Sequence, residues 1–597
     1  MKRSFSNAFN YIYEPIAKRT RANCKNFQYQ QLQPIKKYTP WISATKTRNY
    51  FFNDHLSDWL KLYGGRKRSS SNSFSTRNTF TFTEYIKRKG IDFETSVVNL
   101  IKNCLSVVSV SDVYNTVQID KTIEYMKQGK PIIHSAPLSN KSNNTYGIAD
   151  LLVRNDYLYK FLDNVPIFEN DKKALKLGVD YYYVVIDIKY QTLSLKSDGI
   201  HLLNSKSMRA YKSQLWIYNQ ALGKIQGYTP RYAYILGRRW KYASKGSKYF
   251  NNSCLNKLGV VDFENVDKFI KMQTKFALAW NRSVIKNGAK WNLHPPTKKE
   301  LYPNMGIHSG TYYSTKKKMA EESGELTMLW QCNVTNRNIA LANGISSWKD
   351  PNCNSTKLGV GGAYGRVVDK IIKVNRDVHI ITPDIICNNT GNWQQAGNDL
   401  FVDFETFSDI CKSFDSLPIQ ESFNRIYLIG VGWMDNGIWK YKKFICKENT
   451  RQEELRIMTD FSEFVNQRNN PKLFYWHAEK SFWKRSMQSD SNLINMFNHN
   501  WIDMCKIFRQ EPIVIKGCFG FGLKEIAKNM IHHNLISTKL ESNCTNGMTA
   551  MVRAWKCYND FSEPMQAPIM LDIIKYNEFD VQVLCDIVTY LRENHIN

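Results

Sequence analysis

One tetrapeptide, Asp-Phe-Glu-Thr, occurs twice in this 597-residue chain, at 92–95 and 403–406, and its flanks demand a different backbone each time. In the second copy, "DLFVDFETF", apolar and acidic residues alternate. A strand then puts Asp403 and Glu405 on one face and Leu400, Val402 and Phe404 on the other. Two carboxylates about 7 Å apart along a strand repel each other, and divalent cations are the natural compensation. A lone Asp-x-Glu is more often a solvated edge, so the surroundings must decide. In the first copy, "GIDFETSVVNLI", Phe93, Val97 and Ile101 recur at helical spacing. This predicts a helix starting at the tetrapeptide, with Asp92 and Glu94 pointing apart. The copies are therefore not a repeat.

After the second copy, "RIYLIGVGWM" and "IWKYKKFI" flank Asp-Asn-Gly, a strong hairpin signal. A helix over "TRQEELRIMTDFSEFVNQ", a strand "KLFYW", a helix, a strand "WIDMCKIF" and further helices follow. Three antiparallel strands and then alternating helix and strand is the order of an RNase H-like fold. Near the C-terminus, "IIKYNEFDVQVLCDIVTYLREN" reads as a helix with Tyr576 and Asp580 on one face. Together these features resemble the DEDD exonucleases of the DnaQ-like superfamily, tyrosine subtype; the histidine subtype needs His where Lys575 stands. The resemblance implies Asp403, Glu405 and Asp580 as metal ligands and Tyr576 as the residue that orients the attacking water. For the second motif, "KLFYWHAEKSFWKR" offers Glu479, as in the YprB-like variant, with Asp503 as rival. His477 reads as a packed or hydrogen-bonded residue. "FGFGLKEIAKNM" fits the family's helix start, where Lys524 touches phosphate.

The first half has its own acids. "YGIADLLVRNDYLYK" and "YYYVVIDIKYQTL" read as strands carrying Asp150 and Asp187 among apolar residues, and a buried acid needs a cation or hydrogen bonds. Lys189 shares a face with Asp187, a plausible phosphodiesterase pair. "SMRAYKSQLWIYNQAL" is a helix with Gln214 and Tyr218 on one face. Alone, an Asp-x-Lys or a Gln-x-x-x-Tyr face is ordinary packing. In this order, and after Gly90-x-x-x-Glu94, the set resembles the RecB-family PD-(D/E)XK nucleases. That resemblance implies Glu94, Asp150 and Asp187 as metal ligands, Lys189 as catalytic lysine, and Gln214 and Tyr218 steadying the site or the DNA.

The expected fold class is thus α/β multidomain, a PD-(D/E)XK restriction-endonuclease-like domain plus an RNase H-like domain. The expected boundaries are a basic, partly disordered arm over 1–75, the first nuclease domain over 76–290, a helical linker or helix–turn–helix-like segment over 291–395, and the RNase H-like domain over 396–597. The glycines of "KLGVGGAYGRVVDK" do not fit a phosphate loop and predict a flexible linker. Net charge is +29, and a chain this basic usually meets nucleic acid. The strip Arg238, Arg239, Trp240, Lys241, continued by Lys245 and Lys248, is a candidate contact, or a lysine-protected sheet edge. Thirteen cysteines without a Cys-x-x-Cys pair argue against zinc ribbons and fit a reducing intracellular compartment, cytoplasm or nucleus. No membrane association is expected. Hard oxygen ligands favour Mg²⁺ or Mn²⁺. The expected activity is a two-site nuclease acting in replication, recombination or repair, on DNA before RNA. Its expected partner is a helicase or a replication or repair protein, since no helicase signature occurs. An RNA-processing nuclease and a nucleic-acid-binding scaffold with one inactive domain stand as alternatives.

Overall fold

The computed structural model describes residues 39–64, 82–111, 113–204, 206–308, 310–421, 423–487, 499–539, 542, 544 and 546–596. The basic clusters at 17–21 and 65–69 lie outside these residues. Among them, no helix is long and apolar enough to cross a membrane, and no disulfide joins the cysteines.

The first half is built on one mixed sheet. Its strands are β1 (Ile42–Ser43), β2 (Val107–Ser109), β3 (Ile132–Asn140), β4 (Thr145–Arg154), β5 (Tyr183–Ser194), β6 (Tyr232–Ser244), β7 (Ser247–Asn251) and β8 (Gly259–Asp262). The order is β2-β3-β4-β5-β6-β7, with β1 beside β4 and β8 beside β6. Strand β4 runs antiparallel to both β3 and β5, while β6 is parallel to β5. A parallel neighbour needs a crossover, and the helix Lys206–Gln226 supplies it. Helix α1 (His55–Tyr63) packs with the later helix Lys268–Asn287 through Leu56, Leu60, Trp280 and Val284. Residues 39–64, expected as part of a disordered arm, are therefore folded in.

Helix α2 (Phe82–Lys102) covers one face of this sheet, α3 (Thr116–Lys127) precedes β3, and α4 (Lys206–Gln226) covers the other face. The alternation along β5 makes this division: Val184, Ile186 and Ile188 pack with Phe93, Val97 and Ile101, whereas Tyr183 and Val185 pack with Leu215 and Leu222. Helix α2 begins before the first Asp-Phe-Glu-Thr, which lies mid-helix instead of at the start. Gly90 lies inside it without a left-handed φ, so it does not end it. Helix α5 (Lys268–Asn287) closes the half.

The middle residues form helices α6 (Tyr313–Ser323), α7 (Val334–Ala342) and α8 (Gly362–Arg376). The glycine-rich stretch is not a flexible linker; it runs into α8, which buries Val367, Val368, Ile371 and Ile372. These join Leu326, Leu329 and Trp348 in one core with residues of the second half. Strand β9 (Ile381–Thr382) then pairs antiparallel with a late strand, Val514–Ile515.

The second sheet has the order β12-β11-β10-β13-β14. Its strands are β10 (Asp399–Ser408), β11 (Asn424–Asp435), β12 (Ile438–Ile445), β13 (Lys472–Tyr475) and β14 (Asn500–Asp503); Val514–Ile515 is β15. The first three are antiparallel, and β13 and β14 run parallel to β10. The β11–β12 turn is the predicted one, with positive φ at Asn436 and Gly437, the two positions that a tight primed turn requires. Helix α9 (Arg451–Asn466) is capped by Thr450, and α10 (Glu479–Ser486) follows β13. The segment expected as one strand, "WIDMCKIF", divides into β14 and helix α11 (Met504–Gln510), because the Asp503 carboxylate accepts the Lys506 N–H and caps the helix. Helices α12 (Leu523–His532), α13 (Gly547–Asp560) and α14 (Pro568–Asn594) complete the chain.

Residues 408–421 leave β10 and press on the first half. Tyr190 donates to the Asp409 carbonyl at 3.1 Å and Lys89 to that of Lys412 at 2.8 Å. Phe414 packs on Phe93 and Tyr190.

Candidate active sites

In the first half, β4, β5 and α4 bring five of the expected residues together. Asp187 and Lys189 occupy the face of β5 that looks toward α4, just before a register shift in the β5–β6 ladder. Bulges re-aim side chains, and here one follows directly on the acid–lysine pair. The Lys189 ammonium lies 2.8 Å from Asp187 and 3.4 Å from Asp150. The Asp150 carboxylate also accepts the Ile188 N–H at 2.7 Å. Opposite Asp150 the β3–β4 ladder is broken at Ser135, whose φ is 48°. Gln214 reaches Asp187 at 3.5 Å and donates to the Tyr218 hydroxyl at 2.8 Å.

Burial, with Asp150 adding to it, pushes the Asp187 carboxyl up, against the pull of Lys189. Burial alone would lower the Lys189 pKa; the two carboxylates outweigh it and hold the ammonium above its ordinary value. The site thus carries its own cation between two acids. Glu94 is joined to a different partner: His134 Nε2 lies 3.2 Å from its carboxylate. His134 sits on β3 opposite Leu151, next to Asp150 along β4. Sequence reasoning passed over it. Its signal was a histidine between two apolar runs, "PIIHSAPL", lying in the chain between Glu94 and Asp150.

In the second half, alternation along β10 holds as expected. Leu400, Val402 and Phe404 pack with Ile457, Met458 and Phe461 of α9, and Asp403 and Glu405 lie with Phe401 on the opposite side. A register shift follows Glu405. Asp403, Glu405, Glu479 and Asp580 are all buried, at 6% exposure or less. Asn577, one residue after Tyr576, donates 2.7 Å to the Asp403 carboxylate and is held by the Tyr441 hydroxyl at 2.8 Å. Burial first, then Asp580, Glu405 and Asp403, push the Tyr576 phenol well above its usual value, so it stays a neutral donor. Lys524 lies 3.7 Å from Asp580 and 3.6 Å above the Tyr576 ring.

Glu479 opens α10 and its carboxylate accepts the Ala478 N–H. Its rival Asp503 is engaged by the N–H groups of His477 and Lys506, as a helix cap. Among the described residues, His477, Asp503 and Cys505 form the group of metal-capable side chains whose ligand atoms lie within 4.8 Å of one another. No spacing in the sequence signals this grouping, since His477 lies 26 residues before Asp503.

The basic strip divides. Arg238 and Arg239 both close on Asp409, so they join the two halves and do not form an open strip. Trp240 is buried and donates to Asn256. Lys241, Lys245 and Lys248 stay exposed at the β6–β7 hairpin. The partner of these two arginines is remote in sequence, so no local pattern signals it.

A fit to divalent cations can be judged from the donors. Asp150 and Asp187 lie about Lys189, and Asp403, Glu405 and Asp580 lie about Tyr576 near Lys524; these carboxylate oxygens are a donor set suited to Mg²⁺ or Mn²⁺. No curated protein and no solved structure matches the chain. Residues 413–592, by contrast, match the family model RNase_H_2 of the RNase H superfamily, so this part of the chain is an RNase H-like, YprB-like domain, a class that points to nucleic-acid cleavage.

Proposed function

We propose that the protein is a metal-dependent nuclease with two separate sites, a RecB-like one at Asp150, Asp187 and Lys189 and an exonuclease one at Asp403, Glu405, Glu479 and Asp580. The observation that carries this reading is the pairing of carboxylates on two different sheets, with Asp187, Asp403 and Glu405 buried and Asp150 17% exposed, each pair beside a lysine able to meet a phosphate. Carboxylates withdrawn from water in this way need cations to offset their repulsion.

Divalent cations held there would neutralise developing phosphoryl charge and supply an activated nucleophile. The chain's own residues do the rest. Asp403 is fixed by Asn577, so its carboxylate enters the site preset. Tyr576, kept neutral, donates a hydrogen bond that orients the attacking water. Lys524 spans the Tyr576 ring and Asp580 and can receive a phosphate oxygen there. In the first site, Lys189 is held by Asp187 and Asp150 beside the scissile phosphate, and Gln214 ties Tyr218 to Asp187. DNA is the favoured polymer, and stepwise release from 3′ ends is the favoured polarity of the second site, following the exonuclease resemblance. The proposed setting is replication, recombination or repair, with unwinding left to a partner.

The test is incubation of the full chain with end-labelled single- and double-stranded DNA and RNA, with Mg²⁺, Mn²⁺ or EDTA. Metal-dependent cleavage that EDTA abolishes is the expected result; cleavage that EDTA leaves untouched overturns the reading.

A further inference from the structure

Between the middle helices and the second half runs a cleft of about 2370 Å³. Small-molecule pockets hold about 300–1,000 Å³, so this one is sized for a polymer. One wall is α8 and the residues before α7; the other is α11 and α12. It reaches Lys524, the lysine beside Asp580, at one place and Arg209 of α4, the helix that carries Gln214, at another.

The charges in it are unevenly committed. Arg366 and Lys370 of α8, Lys506 and Arg509 of α11 and Lys528 of α12 line the cleft, and among the described residues none of the five is ion-paired. The acids there are occupied by the fold. Asp503 accepts the His477 and Lys506 N–H groups, Glu511 those of Cys387 and Asn388, and Glu525 that of Phe519, while Glu321 pairs with Lys317. The surplus faces the cavity and selects an anionic ligand. An aromatic surface accompanies it: Tyr364 of α8 is 45% exposed and stands edge-on to Trp330. A ring offered to solvent beside cations suits unstacked bases, which a duplex does not present.

We propose that α8 and its facing helices form a binding groove for single-stranded nucleic acid, outside both carboxylate clusters, with α8 contacting phosphates and Tyr364 stacking on a base. The groove rests on the nuclease reading only for where the strand leads, namely to Lys524.

The experiment is fluorescence anisotropy with the full chain in EDTA, where no cleavage occurs. The probes are a labelled 20-nucleotide oligo(dT), an oligo(rU) of equal length and a 20-base-pair duplex, titrated from 50 to 200 mM salt. The single strands should bind at least tenfold tighter than the duplex, and the dT and rU arms tell which polymer is preferred. Arg366→Glu with Lys370→Glu should weaken single-strand binding tenfold or more and flatten the salt slope by about 1.4, about 0.7 per phosphate contact. Tyr364→Ala should cost about fivefold or more, the low end of a base–aromatic stack. Lys506→Glu with Lys528→Glu, on the other wall, serves should the α8 pair lower the melting temperature, and carries the same expectation. Unchanged affinity and slope in a variant that melts like the parent overturns the groove, and equal binding of the duplex overturns its single-strand character. Cleavage that persists with unchanged binding would sink the groove and leave the nuclease reading standing. Binding that depends on α8 with no cleavage in any metal would do the reverse.

Discussion

At the scale of single residues, the two clusters share no side chain, and each acid can be tested alone. Asp187→Ala removes a carboxylate that holds Lys189, while Asp403→Ala leaves Glu405, Glu479 and Asp580 in place. We expect each substitution to reduce its own site's cleavage by about a hundredfold or more, since positioning and charge stabilisation carry most of phosphoryl transfer. Asp403→Ala should abolish stepwise release from 3′ ends, and Asp187→Ala should spare it. End-labelled substrates resolved by length decide this; loss of all cleavage in both variants, with circular dichroism unchanged, contradicts separate sites. A different acid carries a pH dependence of its own. Asp586 on α14 is pushed up to about 6 by burial and accepts the Thr538 hydroxyl. A carboxyl whose folded pKa exceeds its unfolded value of about 3.8 supports folding at low pH and loses that contribution as pH rises through 6. Asp586→Asn should therefore raise the melting temperature at pH 8 and not at pH 4, as thermal scans at the two pH values will show.

At the scale of elements, the second site depends on how closely α14 lies on the sheet. Gly430 of β11 pairs with Asp403 across the ladder, and a Cβ there would collide with the Asn577 amide that fixes Asp403. Gly430→Ala should cost about 1–3 kcal/mol of stability, as overpacking does, and should depress release from 3′ ends while sparing the first site. A melting curve and the two cleavage assays, run together, check both halves of that expectation. The elements of the second half were largely legible: the Asn-Gly turn, the periodic helix over "TRQEELRIMTDFSEFVNQ" and the Asp-x-Glu strand each state their backbone locally. The misread elements are those whose local signals were overruled by packing. Helix α8 follows glycines that read as a linker, yet its Val and Ile residues are buried in the shared core.

At the scale of the whole molecule, the joint between the halves is electrostatic as well as apolar. Asp409 receives Arg238 and Arg239, both only 12% exposed. Removing the acid strands two poorly solvated guanidinium groups, and breaking such a partly buried pair costs about 3–5 kcal/mol. Asp409→Ala should loosen residues 408–421, seen as faster limited proteolysis there and a lower melting temperature. Proteolysis at the parent rate would show that Phe414 and the backbone bonds hold the joint without the ion pairs.

The sequence alone determined the alternation that puts Asp403 and Glu405 on one strand face, the helix face shared by Tyr576 and Asp580, and the order of Asp150, Asp187, Lys189, Gln214 and Tyr218. All of these follow from the fixed periods of strand and helix, which are local. Only the tertiary structure decided that Glu94 meets His134, that Asp409 claims the two arginines of the basic strip, and that the glycine-rich middle walls a basic cleft. Each of those depends on which distant segment supplies the partner, and no period along the chain encodes it.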